Sequence, residues 1–168
     1  PKGFITTSKD EKDRSTVMDL MRPATTARIF PVGRLDRQTT GVLLFTNDGY
    51  LTKKLTHPSH DVKKIYHVTL DKKLTANDLA EIKKGIRLIP EGIAIVDNIS
   101  YIEKRPKNEV GIEIHIGWNR VVRRIFEKLD YKVEALDRVS FAGLTKKTVG
   151  RGDFRPLTEM EVNFLKMM

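Results

Sequence analysis

The chain has 168 residues, 39% of them hydrophobic, with 31 Lys and Arg against 22 Asp and Glu and a formal charge of +9. That length fits one ordinary domain with a substantial core; no apolar run approaches the roughly 20 residues that span a bilayer, and Pro1-Lys2-Gly3-Phe4 lacks the layout of a secretory signal, so a cytoplasmic protein without a membrane partner is expected. The lack of cysteine excludes disulfides, thiolate metal sites, iron–sulfur clusters and thiol nucleophiles, while the positive balance favours a polyanionic partner, nucleic acid first, because Lys and Arg release counterions from phosphates.

Taken in chain order, a short helix is expected from Thr16, whose hydroxyl caps it with Asp19 three residues on, and Pro23 ends it. Residues 31–41 read as a polar loop. Residues 41–46, Gly-Val-Leu-Leu-Phe-Thr, are apolar on both faces of any strand and predict a central strand covered on both sides. Asn47-Asp48-Gly49 supplies a turn before a helix over 50–57, stopped by Pro58.

A strand over 65–70 places Tyr66, Val68 and Leu70 on one face and Ile65, His67 and Thr69 on the other. Thr75 and Asp78 cap a helix carrying Leu79 and Ile82, with Gly85 suited to a left-handed position after its end. Residues 93–102 and 109–116 read as two strands of an antiparallel hairpin turning at Arg105-Pro106-Lys107-Asn108.

Over 119–129, Val122, Ile125, Phe126 and Leu129 fall at helical spacing and form one buried stripe. At about 100° per residue Arg120 and Arg124 lie nearly opposite that stripe, whereas Arg123 sits at its edge and is expected to be partly buried. A strand over 132–141, a Gly/Arg-rich loop at 150–152 and a last helix capped by Thr158 and Glu161 complete the chain. The irregular mixture of elements predicts an α+β fold with a mixed, mainly antiparallel sheet and flanking helices, in one domain over 1–168.

Few residues carry candidate chemistry. Gly33 lets the backbone approach a ligand while Arg34 and Asp36 present a cation and a carboxylate together, an arrangement that also suits a loop salt bridge. Tyr66 can stack on a nucleobase or be an ordinary core residue. Lys63 and Lys64 suit phosphate contacts or simple solubility. Arg123 at a core edge needs an anionic partner, either a structural acid or a catalytic carboxylate, and Asp36 is one candidate. His57-Pro58-Ser59-His60 alone comes near a ligand spacing, and no metal site is expected.

Three separated motifs, in order, resemble the RsuA family of ribosomal RNA pseudouridine synthases. They are Gly33-Arg34-Leu35-Asp36 with residues 39–49, then His57-Pro58 and Lys64-Ile65-Tyr66, then residues 117–126 from Gly117-Trp118 to Ile125-Phe126. Pro1-Lys2-Gly3 resembles the family's opening strand and Leu157-Thr158 its closing helix entry, so the likeness covers nearly the whole chain. It implies the pseudouridine synthase fold with a central active-site cleft and in-place isomerisation of a uridine, without an external cofactor. The bond from ribose C1′ to N1 breaks, the uracil turns, and C1′ joins C5.

By that resemblance Asp36 is the essential carboxylate, acting as nucleophile or as base at the sugar, with Arg123 keeping it ionised. Tyr66 stacks on the target base, Arg34 fills the space it leaves on flipping out, and Lys63, Lys64, Arg120 and Arg124 contact RNA phosphates. Ile116, Trp118 and Val121 depart from the family's frequent Glu, Arg and Gln, which bears on substrate choice. Members usually carry a small RNA-binding domain upstream, and this chain is expected to comprise the catalytic domain without it. The expected partner is ribosomal RNA, large-subunit RNA ahead of small-subunit RNA, with the protein a monomer; a noncatalytic RNA-binding or ribosome-assembly module is the rival expectation.

Overall fold

Nine consecutive residues near the C-terminus, Val133–Phe141, form the longest strand, and the rest of the architecture is placed by what pairs with it. A computed structural model describes residues 1–168. In chain order its helices are α1 (Val17–Met21), α2 (Gly49–Thr56), α3 (Ala76–Lys84), α4 (Val121–Lys128) and α5 (Glu159–Met167), with a 3-10 turn at Pro58–His60. Its strands are β1 (Phe30–Pro31), β2 (Thr40–Gly41), β3 (Phe45–Thr46), β4 (Lys64–Leu70), β5 (Ile86–Leu88), β6 (Gly92–Ala94), β7 (Asn98–Tyr101), β8 (Glu109–Ile114), β9 (Val133–Phe141) and β10 (Leu144–Thr145). The fold is α+β, as expected. No helix is long and apolar enough to cross a membrane.

The main sheet runs β10-β9-β4-β8-β7 with antiparallel neighbours, and β2 adds to β9 in parallel. Tyr66, Val68 and Leu70 share the face that α3 and α4 cover, packing with Val110, Ile112, Ile114, Ile125 and Phe126 in a core of 19 buried residues. The opposite face carries Ile65, His67 and Thr69 outward, matching the period-2 expectation. The β4–β9 register slips between Ile65/Tyr66, so that Ile65 faces Ser140 while Tyr66 faces Arg138. That irregularity sets a tyrosine and an arginine directly across from each other.

The expected central strand over 41–46 is not one strand. Its first residue pairs with β9, the chain then leaves the sheet, and Phe45–Thr46 joins β1 in a separate two-stranded ribbon. Gly41 explains the departure. Its φ is +127°, and a Cβ there would lie 2.3 Å from the carbonyl oxygen of Arg138, so only glycine permits this approach. Its apolar residues serve a second core of nine buried residues, including Val32, Leu44, Leu51, Leu55, Phe141 and Leu165.

The expected strand over 93–102 also divides. Gly92–Ala94 forms a hairpin with β5, which the sequence reading left out, and Asn98–Tyr101 joins β8. Ile93, Ile95, Ile99 and Tyr101 keep the same alternation through both halves, so periodicity runs on where the chain changes partner. The caps of α1 and α5 form as expected, each a reciprocal capping box, Thr16 with Asp19 and Thr158 with Glu161. Gly85 ends α3 with φ +113° but with ψ in the extended range rather than the left-handed helical one.

Candidate active site

The loop that carries Asp36 is short, and hydrogen bonds rather than secondary structure hold it. The Thr6 hydroxyl donates to the carbonyl of Leu35 at 3.0 Å and accepts from its N–H at 3.2 Å. Gly3 N–H donates to the Arg37 carbonyl, and Thr39 N–H closes a turn onto the Asp36 carbonyl. Asp36 is thus fixed on both flanking residues while its carboxylate stays free to face a cavity.

That cavity is about 310 Å³ and is lined by Arg34, Asp36, Lys64, Tyr66, Arg120 and Arg123 among others. Six of the eight candidate residues therefore converge, from the β1–β2 loop, from β4 and from the start of α4. A larger, mainly apolar cavity of about 600 Å³ lies between the N-terminal segment and residues 144–157, and none of the eight lines it.

Two guanidinium groups share the carboxylate. Arg120 Nη1 donates to Asp36 Oδ2 at 3.3 Å, and Arg123 Nε stands 3.9 Å from the same oxygen. Arg123 is 8% exposed, as the helical spacing predicts. Its Nη2 donates to the Gln38 carbonyl at 3.3 Å and to Thr39 Oγ1 at 3.4 Å, and its buried Nε has no acceptor. Burial pulls the Arg123 pKa down, the neighbouring Arg120 charge adds to that, and Asp36 opposes it.

On the opposite wall, Tyr66 and Arg138 lie side by side on one sheet face. Burial raises the Tyr66 pKa, countered by Arg138. Arg138 is 2% exposed, donates from Nε and Nη2 to the Val42 carbonyl at 3.0 and 2.8 Å, and rests over Phe141 at 4.5 Å. It forms no ion pair, and burial pulls its pKa down, with Tyr66 opposing. Lys64 lies beside them, its pKa lowered by burial and then by Arg138.

Two candidates point elsewhere. Lys63 pairs with Glu113 at 3.4 Å outside the cavity. Arg124 is committed to a clasp, with 2.7 and 2.8 Å bonds to Glu91 and further bonds to the carbonyls of Ile89 and Asn119. It ties α4 to the β5–β6 hairpin. His57 caps its own turn through Nδ1, which accepts from Ser59 N–H.

Sequence reading missed Arg138 and Thr6. Arg138 had a signal, since Leu136, Arg138 and Ser140 alternate on the buried side of β9 and a cation there needs a reason. Thr6 had none, because its partner is 29 residues away and the contact depends on the loop's path.

Comparison with known proteins adds the following. A sequence profile described as RNA pseudouridylate synthase matches residues 1–128. The chain is 36% identical over 167 residues to the ribosomal large subunit pseudouridine synthase B of Buchnera aphidicola, covering 98% of this chain and 67% of that protein. It is also 36% identical to the Bacillus subtilis protein of the same name, over 100% of this chain and 69% of that one. A crystal structure of a pseudouridylate synthase superposes with a TM-score of 0.86 at 27% identity, over 98% of this chain and 70% of that one.

Proposed function

The chain belongs to the RNA pseudouridylate synthase family, and from that premise we propose that it converts one uridine of large-subunit ribosomal RNA to pseudouridine, with Asp36 as the essential carboxylate. The reaction makes the protein an isomerase. The large-subunit target is favoured over a small-subunit one because both relatives at 36% identity carry large-subunit names.

The observation that carries the reading is the meeting of one carboxylate with five cations, Arg34, Lys64, Arg120, Arg123 and Arg138, around a cavity walled by Tyr66. A positive lining draws a phosphate backbone, and the volume suits one nucleoside rather than a duplex. The uridine must therefore leave its stack, at a cost of about a few kcal/mol that is least in unpaired RNA. Tyr66 offers an aromatic face for the extruded base, and Arg34 at the rim can occupy the space it vacates.

Chemistry at C1′ needs an ionised carboxylate there. As the C1′–N1 bond breaks, its electron pair stays with the base; after C1′–C5 closure the C5 proton is lost and N1 gains one. Asp36 serves as nucleophile or base at the sugar, with the guanidinium groups of Arg120 and Arg123 beside it. Lys64 and Arg120 face the cavity and are suited to phosphates, whereas the clasp with Glu91 gives Arg124 a structural task. The reading carries with it a cytoplasmic monomer acting on ribosomal RNA.

The test compares ribosomal RNA from cells lacking the protein, restored with wild type, or restored with Asp36→Asn. Wild type is expected to return pseudouridine at one large-subunit position, and the variant to return none. Restoration by Asp36→Asn would remove Asp36 from the chemistry; a restored small-subunit position would move the target.

A further inference from the structure

Asp36 Oδ2 has two claimants of different character. Arg120 reaches it from a side chain 47% exposed and holds the shorter contact, 3.3 Å. Arg123 is 10% exposed at its side chain, 3.9 Å from the same atom, and its Nε is the one buried side-chain nitrogen or oxygen in the molecule without a hydrogen-bond partner. A buried donor left unpaired is unfavourable, and the acceptor it lacks is about an ångström out of reach. Neither arginine pairs with any other carboxylate.

The backbone fits this division. Arg120 precedes the first turn of α4 with φ +50° and ψ +34°, a left-handed conformation seldom taken by a long side chain, and it makes no capping bond. That turn sends its guanidinium across the cavity mouth instead of along the helix. Arg123 sits one helical turn further in, fixed by Gln38 and Thr39. An exposed ion pair such as Arg120–Asp36 is weak and easily exchanged, whereas a guanidinium and a phosphate pair strongly in a geometry suited to both. The three groups together carry a charge of +1, which one phosphodiester would neutralise.

We propose that Arg120 is a displaceable guard on Asp36: it holds Oδ2 in the free protein, an RNA phosphodiester draws it away, and Asp36 then closes onto the waiting Nε of Arg123. Arg120 is a positioning residue in this scheme, and Arg123 is the partner of the carboxylate during reaction. Binding of the backbone is thereby coupled to readiness of the carboxylate, so that Asp36 is presented to a sugar only when a phosphate is in place. The scheme rests on the reading of Asp36 as the reacting group, but the exchange of partners can be observed without turnover.

Nitrogen NMR of the arginine Nε–H groups follows it directly, with the Arg123 signal identified by its loss in Arg123→Lys. In wild type, titration with a uridine-free oligoribonucleotide is expected to move that signal and slow its exchange with water about tenfold. In Arg120→Met the signal should already stand at the RNA-bound position before RNA is added. A wild-type signal indifferent to RNA, or one unchanged by Arg120→Met, overturns the proposal.

Kinetics give an independent arm. Arg120→Met should raise KM about tenfold, lower the salt slope of binding by about one phosphate, and change kcat less than threefold, with Arg120→Lys recovering most of the KM. A loss falling mainly on kcat would place Arg120 beside Asp36 during the reaction and refute the guard. If Asp36→Asn proved active, the catalytic reading would fail while the NMR arm still decided whether the carboxylate changes partner.

Discussion

The two cores that meet at the cavity are built on different principles. The larger one packs alternate residues of β4, β8 and β9 against the stripes of α3 and α4, and it presents Tyr66, Arg123 and Arg138 from regular elements. The smaller one gathers Val32, Leu44, Leu51, Leu55, Val62, Leu144 and Leu165 from short pieces, and it supports the loop of Arg34 and Asp36. Cations that must keep their place come from the rigid side, and the carboxylate comes from the side held by individual hydrogen bonds. The carboxylate's own movement in the cavity therefore falls on the loop side.

The largest effect should come from the seam between the halves. Gly41→Ala places a methyl group 2.3 Å from one β9 backbone atom and 2.5 Å from another, at a φ that alanine also resists. Loss of more than about 4 kcal/mol, or of folded protein altogether, is expected in urea denaturation. Stability within about 1 kcal/mol of wild type would mean that β2 does not bind the halves together.

Truncation inside each core measures the contrast itself. Phe126→Ala, in the larger core, should cost about 3–5 kcal/mol. Leu165→Ala should fall near the low end for leucine, about 2 kcal/mol, because it is the sole buried side chain of α5 and its surroundings can close in. Equal costs would erase the distinction.

The smallest of these stability changes bears most on the site. Thr6→Val removes the hydroxyl that satisfies both backbone groups of Leu35. The expected cost is about 1 kcal/mol, the low end for a part-buried pair of bonds, with kcat reduced about tenfold as Asp36 loses its fixed position. An unchanged kcat alongside the stability loss would show that the remaining turn, Thr39 N–H to the Asp36 carbonyl, suffices to position the carboxylate.

The same contrast explains what could be read from the sequence. The Tyr66 face of β4, the buried stripe of α4, the partial burial of Arg123 and the caps at Thr16 and Thr158 follow from period and local chemistry, and all appear in the structure. Residues 41–46 misled because a segment crossing from one core to another is apolar on both sides, just as a central strand is. Arg120 misled for a different reason. The rotation of 100° per residue was carried back to it, but helical geometry begins only at Val121 and its left-handed backbone points the side chain at Asp36. Arg138 reaches its place opposite Tyr66 only through a slip in strand register, which no single strand's pattern reveals.

The beginning of α4 has one more consequence. A helix favours negative charge at its N-terminus, where the backbone dipoles leave a partial positive charge. This one opens with Arg120, Arg123 and Arg124, has no acid in its first turn, and lacks a capping side chain. Each arginine there opposes the helix by about 0.3–1 kcal/mol where it is exposed. Engineering for heat resistance would be drawn to the exposed one of these, offering Arg120→Asn, whose short side chain suits both a left-handed backbone and a helix cap. Such a protein would have gained a cap and lost the guanidinium at its cavity mouth, so thermal screening alone would select against activity at this turn.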